Sequence, residues 1–369
     1  MYFIRLIDYT TCKLPVVIYF HGGSFVDCNG SYMNSDIKKI CKEFAKRGFV
    51  AITVEYRLGV KLPSLADVDE FYTVQQVLGM WRAAQDARGA IRSIIRRENE
   101  GTEPFRIDTS KIFLAGNSAG AVTAMNVAYY NLSSMLSAAF PSGINSSNVL
   151  GGINQNFYYG QWTGTNAINY TIAGVLDMWG GVLIPKNTTA SDFFFQSGNT
   201  IPPTIAFCGA LDKTFVPTTK RLKFLEGVAN AAFRNESFCL QDSTGSTTFT
   251  VSEDSTTYGK IVGSQNIYNM LHSNNVLTEF YLDCDMKHGI QNPSTDNFGL
   301  TTATTDDAVN LYIVQRAATF FQAIMGGKTL TDFTTTKFVE CLNYRNTCDT
   351  ADNNDSCPTD ANSQSQVCK

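Results

Sequence analysis

Residues 111–115 (KIFLA) run directly into Gly116-Asn117-Ser118-Ala119-Gly120, and small residues follow to about Tyr130. A β-prone apolar run, a serine between glycines and a small-residue stretch predict a strand, a sharp turn and a helix. Such a turn lifts the Ser118 hydroxyl clear of the backbone, where a base can take its proton. Gly116 and Gly120 suit it, because strand and helix approach too closely there for a Cβ. The G-x-S-x-G spacing alone is a weak signal. Between this strand and this helix it constrains the chain to alternating β and α layers, with Ser118 as candidate nucleophile.

An earlier apolar run, Leu14–Phe20 (LPVVIYF), ends in His21-Gly22-Gly23-Ser24. Attack on a carbonyl places negative charge on its oxygen, and preorganised N–H donors must meet it. The amides of Gly22 and Gly23, with that of Ala119 at the positive end of the following helix, are the candidate donors. The chain has three histidines. His21 belongs to the glycine turn and His272 closes a helical pattern, which leaves His288, after the strand-like EFYL, as candidate base. Asp212, in a loop after the apolar run TIAFCG, is the candidate acid, able to accept the second imidazole N–H. Asp177, Asp283 and Asp285 are its rivals. Glu55, Tyr56 and Arg57 end a strand, and Asp86 and Arg88 lie on a long helix; all of these read as structural.

The remaining pattern alternates strands with helices, which predicts a mostly parallel sheet. Further strands are expected at 49–54, 174–178, 204–208 and 279–282. Helices are expected over 35–47, 70–97, 218–233, 264–272 and 308–323. Residues 131–172, rich in Ser, Asn, Gly and aromatics, read as a lid or pocket insertion, and 236–258 as a surface insertion. Residues 1–335 form the expected catalytic domain and 336–369 a cysteine-rich tail.

No dense basic run marks a nucleic-acid surface, and the net charge is −4. No apolar run reaches the roughly 18 residues of a membrane span. Of the ten cysteines, Cys341, Cys348, Cys357 and Cys368 lie in the polar tail, where cross-links in an oxidising compartment would hold it. No zinc-ligand spacing occurs there. Cys208 and Cys284 each stand four residues before a candidate catalytic group, either bridged to one another or as buried thiols. Sequons at Asn29, Asn131, Asn145, Asn169, Asn187, Asn235 and Asn354 are compatible with secretion. The first fifteen residues do not form a signal peptide.

Taken together, HGGSF, VEYRLG, QDARGAIRSI, IDTSKIFLAGNSAGA, GALDKTFVP and KHG resemble the carboxylesterase/lipase branch of the α/β-hydrolases over about residues 14–325. The resemblance implies an α/β-hydrolase fold and hydrolysis of carboxylic esters without cofactor or metal. It assigns Ser118 as nucleophile, Asp212 as acid, His288 as base, and Gly22, Gly23 and Ala119 as oxyanion donors. The N-terminus is shorter than the family pattern. The expected partner is a small-molecule or polymeric ester. Polyester depolymerase or lipase activity on the same triad, and a non-catalytic hydrolase-fold binding protein, are the alternatives.

Overall fold

The structure, a computed structural model, describes residues 2–4, 13–25, 34–58, 74–102, 106–130, 168–185, 187–210, 212, 215, 217, 219–221, 259–283, 288–289 and 307–328. Most of the expected lid, all of the insertion at 236–258 and the tail from 336 lie outside these residues. In chain order the strands are β1 (Tyr2–Ile4), β2 (Leu14–Phe20), β3 (Val50–Val54), β4 (Ile107–Asn117) and β5 (Ile172–Met178). They continue as β6 (Gly181–Pro185), β7 (Thr204–Gly209), β8 (Thr219–Arg221), β9 (Gly259–Gly263) and β10 (Thr278–Asp283). The helices are α1 (Ser35–Lys46), α2 (Val74–Asn99), α3 (Ala119–Tyr129), α4 (Ala190–Phe194), α5 (Ser264–Ser273) and α6 (Asp307–Met325).

The main sheet has the order β1-β3-β2-β4-β5-β7-β10. Among the described residues of this sheet only β1 is antiparallel, pairing Phe3 with Ile52; the other six strands run parallel. Side chains alternate between faces along a strand. Thus Val16, Ile18, Phe20, Ile112 and Leu114 join one apolar cluster with α2 and α3. Val17, Tyr19, Phe113 and Ala115 join the other, with α1 and α6. Both faces are covered, so all seven residues of β2 are buried and the strand reads as an unbroken apolar run.

Helix α1 shows the same economy of pattern. Its buried residues Ile37, Ile40, Cys41, Phe44 and Ala45 recur at helical spacing, and Asn34 caps it by accepting the Asp36 amide. Phe44 then stacks on Phe321 of α6, which lies 4.2 Å from the ring of Phe113 in β4.

A second, antiparallel sheet has the order β6-β9-β8. Its formation corrects the helix expected from residue 218: Thr219, Lys220 and Arg221 instead pair with Val262, Ile261 and Lys260. That short polar segment carries no helical repeat, and its strand partner decides its conformation. Strand β6 and its partner bury Val182, Leu183, Ile184, Ile261 and Val262 against the cluster that contains α3.

Chain direction across the main sheet reverses between β3 and β4, which flank β2 on opposite sides. The carboxyl ends of β2 and β4 therefore form a switch-point crevice, the usual place for a site in an open α/β sheet.

Candidate active site

The segment read as a nucleophile turn joins β4 to α3 as expected. Ser118 has φ 52 and ψ −122, a backbone conformation that a residue with a Cβ rarely adopts. It is held from both sides: the Ser118 amide donates to the Met178 carbonyl at 2.9 Å, and the Val122 amide donates to the Ser118 carbonyl at 3.0 Å. A Cβ on Gly120 would lie 2.0 Å from the carbonyl oxygen of Phe20, and one on Gly116 would lie 2.3 Å from the Gly120 carbonyl carbon. Both obstacles are backbone, so no rotamer relieves them. The two glycines let α3 start hard against the ends of β2 and β4.

Ser118, His288 and Asp212 come together although 170 and 76 residues separate the pairs. The His288 Nε2 is 2.8 Å from the Ser118 Oγ, and its Nδ1 is 2.8 Å from the Asp212 Oδ2. A carboxylate accepts only, so Nδ1 carries the proton and Nε2 is left to accept from the serine hydroxyl. All three are buried, at 7%, 4% and 2% exposure. The other Asp212 oxygen accepts the Phe215 amide at 2.9 Å, and the Phe215 ring lies beside the imidazole. Asp212 is thus anchored on one oxygen and directed at His288 with the other.

Two of the three rivals for the acid, Asp177 and Asp283, are among the described residues. Asp177, at the end of β5, is fully buried, accepting the Gly180 amide at 2.8 Å and the Ser264 hydroxyl at 2.7 Å. Burial, reinforced by the nearby Asp212, pushes its carboxyl up to about 7 against the two hydrogen bonds. Asp283 ends β10, and its carbonyl accepts the Ala210 amide. Asp285 and Cys284 lie outside the described residues.

In the glycine turn, Gly23 has φ 120, which favours glycine. The Gly22 amide donates to the Asn117 Oδ1 at 3.1 Å, so it is turned toward the elbow. His21 is clamped: its ring nitrogens lie 2.7 Å from the Gly22 carbonyl and 2.8 Å from a Glu55 carboxylate oxygen. Its ring stacks on Tyr56 at 4.3 Å, and the Tyr56 hydroxyl donates to the His21 carbonyl.

Residues 17–147 match a family described as the alpha/beta hydrolase fold, spanning the glycine turn, the elbow and the start of the segment read as a lid. That stretch is about a third of the chain, and over it the chain is similar to the α/β-hydrolases. Tuliposide A-converting enzyme 2, chloroplastic, of Tulipa gesneriana is 29% identical over 130 residues, 35% of this chain and 30% of that protein. Probable carboxylesterase 6 of Arabidopsis thaliana is 29% identical over 116 residues, 31% of this chain and 30% of its own length. The matched segments therefore span less than a third of those relatives. The apo form of Thermogutta terrifontis esterase 2 is 15% identical, with a TM-score of 0.46 over 86% of this chain and 88% of that one.

Three features of the site escaped the sequence. Asn117 fills a variable position of the G-x-S-x-G pattern, yet its side chain bonds the glycine turn. Glu55 and Tyr56 read as strand-end residues and in fact brace His21. Asp177 and Ser264 form a buried pair 87 residues apart, with no spacing signal. By contrast Arg57 and Asp86, read as structural, do form an ion pair at 2.9 Å. Cys208 is a buried free thiol, as is Cys41, and the tulip relatives are named as plastid proteins, so the expected oxidising compartment gains nothing from either. Among the described residues no three His, Cys, Asp or Glu side chains cluster to hold a metal ion, and no helix is long and apolar enough to cross a membrane.

Proposed function

We propose that the protein is a serine carboxylic-ester hydrolase with Ser118 as nucleophile, His288 as general base and Asp212 as the acid that orients it. The reading rests above all on one observation, the unbroken hydrogen-bond line from Ser118 Oγ through both His288 nitrogens to Asp212 Oδ2, each link 2.8 Å. His288 takes the hydroxyl proton as Ser118 Oγ attacks the ester carbonyl, and Asp212 stabilises the imidazolium. The amides of Gly23 and Ala119 meet the developing oxyanion; that of Gly22 is engaged by Asn117 and serves the turn instead. Collapse of the tetrahedral intermediate releases the alcohol with the proton from His288 and leaves the acyl group on Ser118. Water, deprotonated by the same imidazole, then frees the carboxylic acid.

The similarity to Probable carboxylesterase 6 of Arabidopsis thaliana supports a carboxylic ester as substrate. Turnover of a p-nitrophenyl ester series from acetate to palmitate, by wild type and Ser118→Ala, tests the reading. Saturable hydrolysis is expected in the wild type, with kcat falling on the order of 10⁶-fold in the variant. An optimum at long chains would move the assignment to a lipase. A folded wild type inert toward the whole series would overturn the hydrolase reading in favour of a binding protein.

A further inference from the structure

We propose that Asn117 is a positioning residue that locks the oxyanion turn to the nucleophile elbow through its side-chain oxygen. This rests on the ester-hydrolase reading above and adds to it a residue outside the triad and the donor set. The Asn117 Oδ1 accepts two donors from the strand and turn beside it, the Gly22 amide at 3.1 Å and the Tyr19 hydroxyl at 3.0 Å. Tyr19 is 1% exposed, and burial pushes its phenol well above the ordinary range, so the hydroxyl keeps its proton and remains a donor. The same hydroxyl lies 3.7 Å from the Met178 Sδ, in the residue whose carbonyl accepts the Ser118 amide. One polar knot thus ties the ends of β2, β4 and β5 together.

The fit leaves little play. A Cβ on Gly22 would come within 2.7 Å of the Asn117 Nδ2 and 3.0 Å of the Asn117 carbonyl oxygen. Gly22 is therefore glycine because Asn117 lies against it, and the amide of Gly23 is presented by a turn that cannot drift from the elbow. Oxyanion donors act by being in place before the charge forms. A residue that holds the donor turn should alter the transition state more than the binding of ground-state ester.

Asn117→Leu and Asn117→Ala remove the acceptor, and Asn117→Asp keeps an oxygen in its place. Each is compared with wild type on p-nitrophenyl butyrate across pH, and by amide hydrogen exchange of peptides covering residues 19–25. Leu and Ala are expected to lower kcat about 10²-fold with KM within a few-fold. The midpoint of the acidic limb should stay where it is in wild type, since His288 and Asp212 are untouched. Asp should recover at least about tenfold of the loss, and exchange at the turn should quicken in the Leu variant but not in the Asp variant. A folded Leu variant with wild-type kcat overturns the proposal, as does a loss that Asp fails to restore. If wild type itself turns over no ester, the hydrolase reading alone falls. Exchange then decides the lock: unchanged protection of the turn in the Leu variant overturns it, and faster exchange upholds it.

Discussion

Asp177 puts a carboxyl with no exposed surface beneath the site, facing Asp212, Cys208, Ser264 and Tyr129. Its folded-state value of about 7 lies above the roughly 3.9 of an unfolded aspartate. Between those values the folded protein holds a proton that the unfolded chain has released. Stability from this group is therefore present at low pH and is lost as pH rises from about 4 through about 7. Asp177→Asn keeps an acceptor for Gly180 and offers a donor to the Ser264 hydroxyl, and it cannot titrate. Urea unfolding of both proteins at pH 5 and pH 8 should show the variant gaining about 2–3 kcal/mol on wild type over that interval. A constant difference at the two pH values would sink this account. Asp177 was legible as a candidate acid but not as what it is, because its partner hydroxyl lies 87 residues along the chain. Ser118 and the glycine turn were legible as candidates because the strand, turn and helix around them are written in contiguous residues. His288 and Asp212 followed from order along the chain and position after strands.

At the level of elements, the elbow is where strand and helix press closest. Gly120→Ala would drive a Cβ into the carbonyls of Phe20 and His21, at 2.0 and 2.6 Å, and α3 would have to lift away from β2. The expected cost is about 3 kcal/mol or more. Gly198→Ala is the control: its φ of 84 strains an alanine, but nothing lies within 4 Å of the new Cβ, so about 1 kcal/mol is expected. Denaturant midpoints of the two variants test the ranking, and equal losses would mean that the elbow yields. Elements with a repeat were readable: β2 and β3 as apolar runs, α1 by its buried stripe. Strand β4 starts at Ile107, earlier than expected, since the polar and more exposed Asp108, Thr109 and Ser110 separate that buried residue from the apolar run. Strands β1 and β8 have three residues each, too short for a pattern to separate strand from loop, and β6 and β9 are five-residue runs that begin with glycine and end in proline or glycine.

Across the whole molecule the sheet divides the core in two. Ile91 of α2 belongs to one cluster and Phe321 of α6 to the other, both without exposed surface. Core truncations with no shared partner add. Ile91→Val is expected to cost about 1 kcal/mol and Phe321→Leu somewhat more, with the double variant equal to the sum within about 0.5 kcal/mol in urea unfolding. A larger departure would show that the sheet transmits strain between its faces. The alternation of strands and helices carried this two-sided plan in the sequence. The small second sheet was not legible, since its three strands come from segments far apart in the chain.

Ser118 follows β4, Asp212 follows β7 and His288 follows β10, and in the sheet β7 stands two places from β4 and one from β10. Neighbouring strands repeat at about 4.8 Å, so serine and carboxylate start about 10 Å apart, a gap that one imidazole with its two hydrogen bonds can bridge. The ruler for these three residues is thus the main-chain ladder, which is indifferent to side-chain identity. Side chains along β4, β7 and β10 can therefore change while the spacing of Ser118, Asp212 and His288 stays constant.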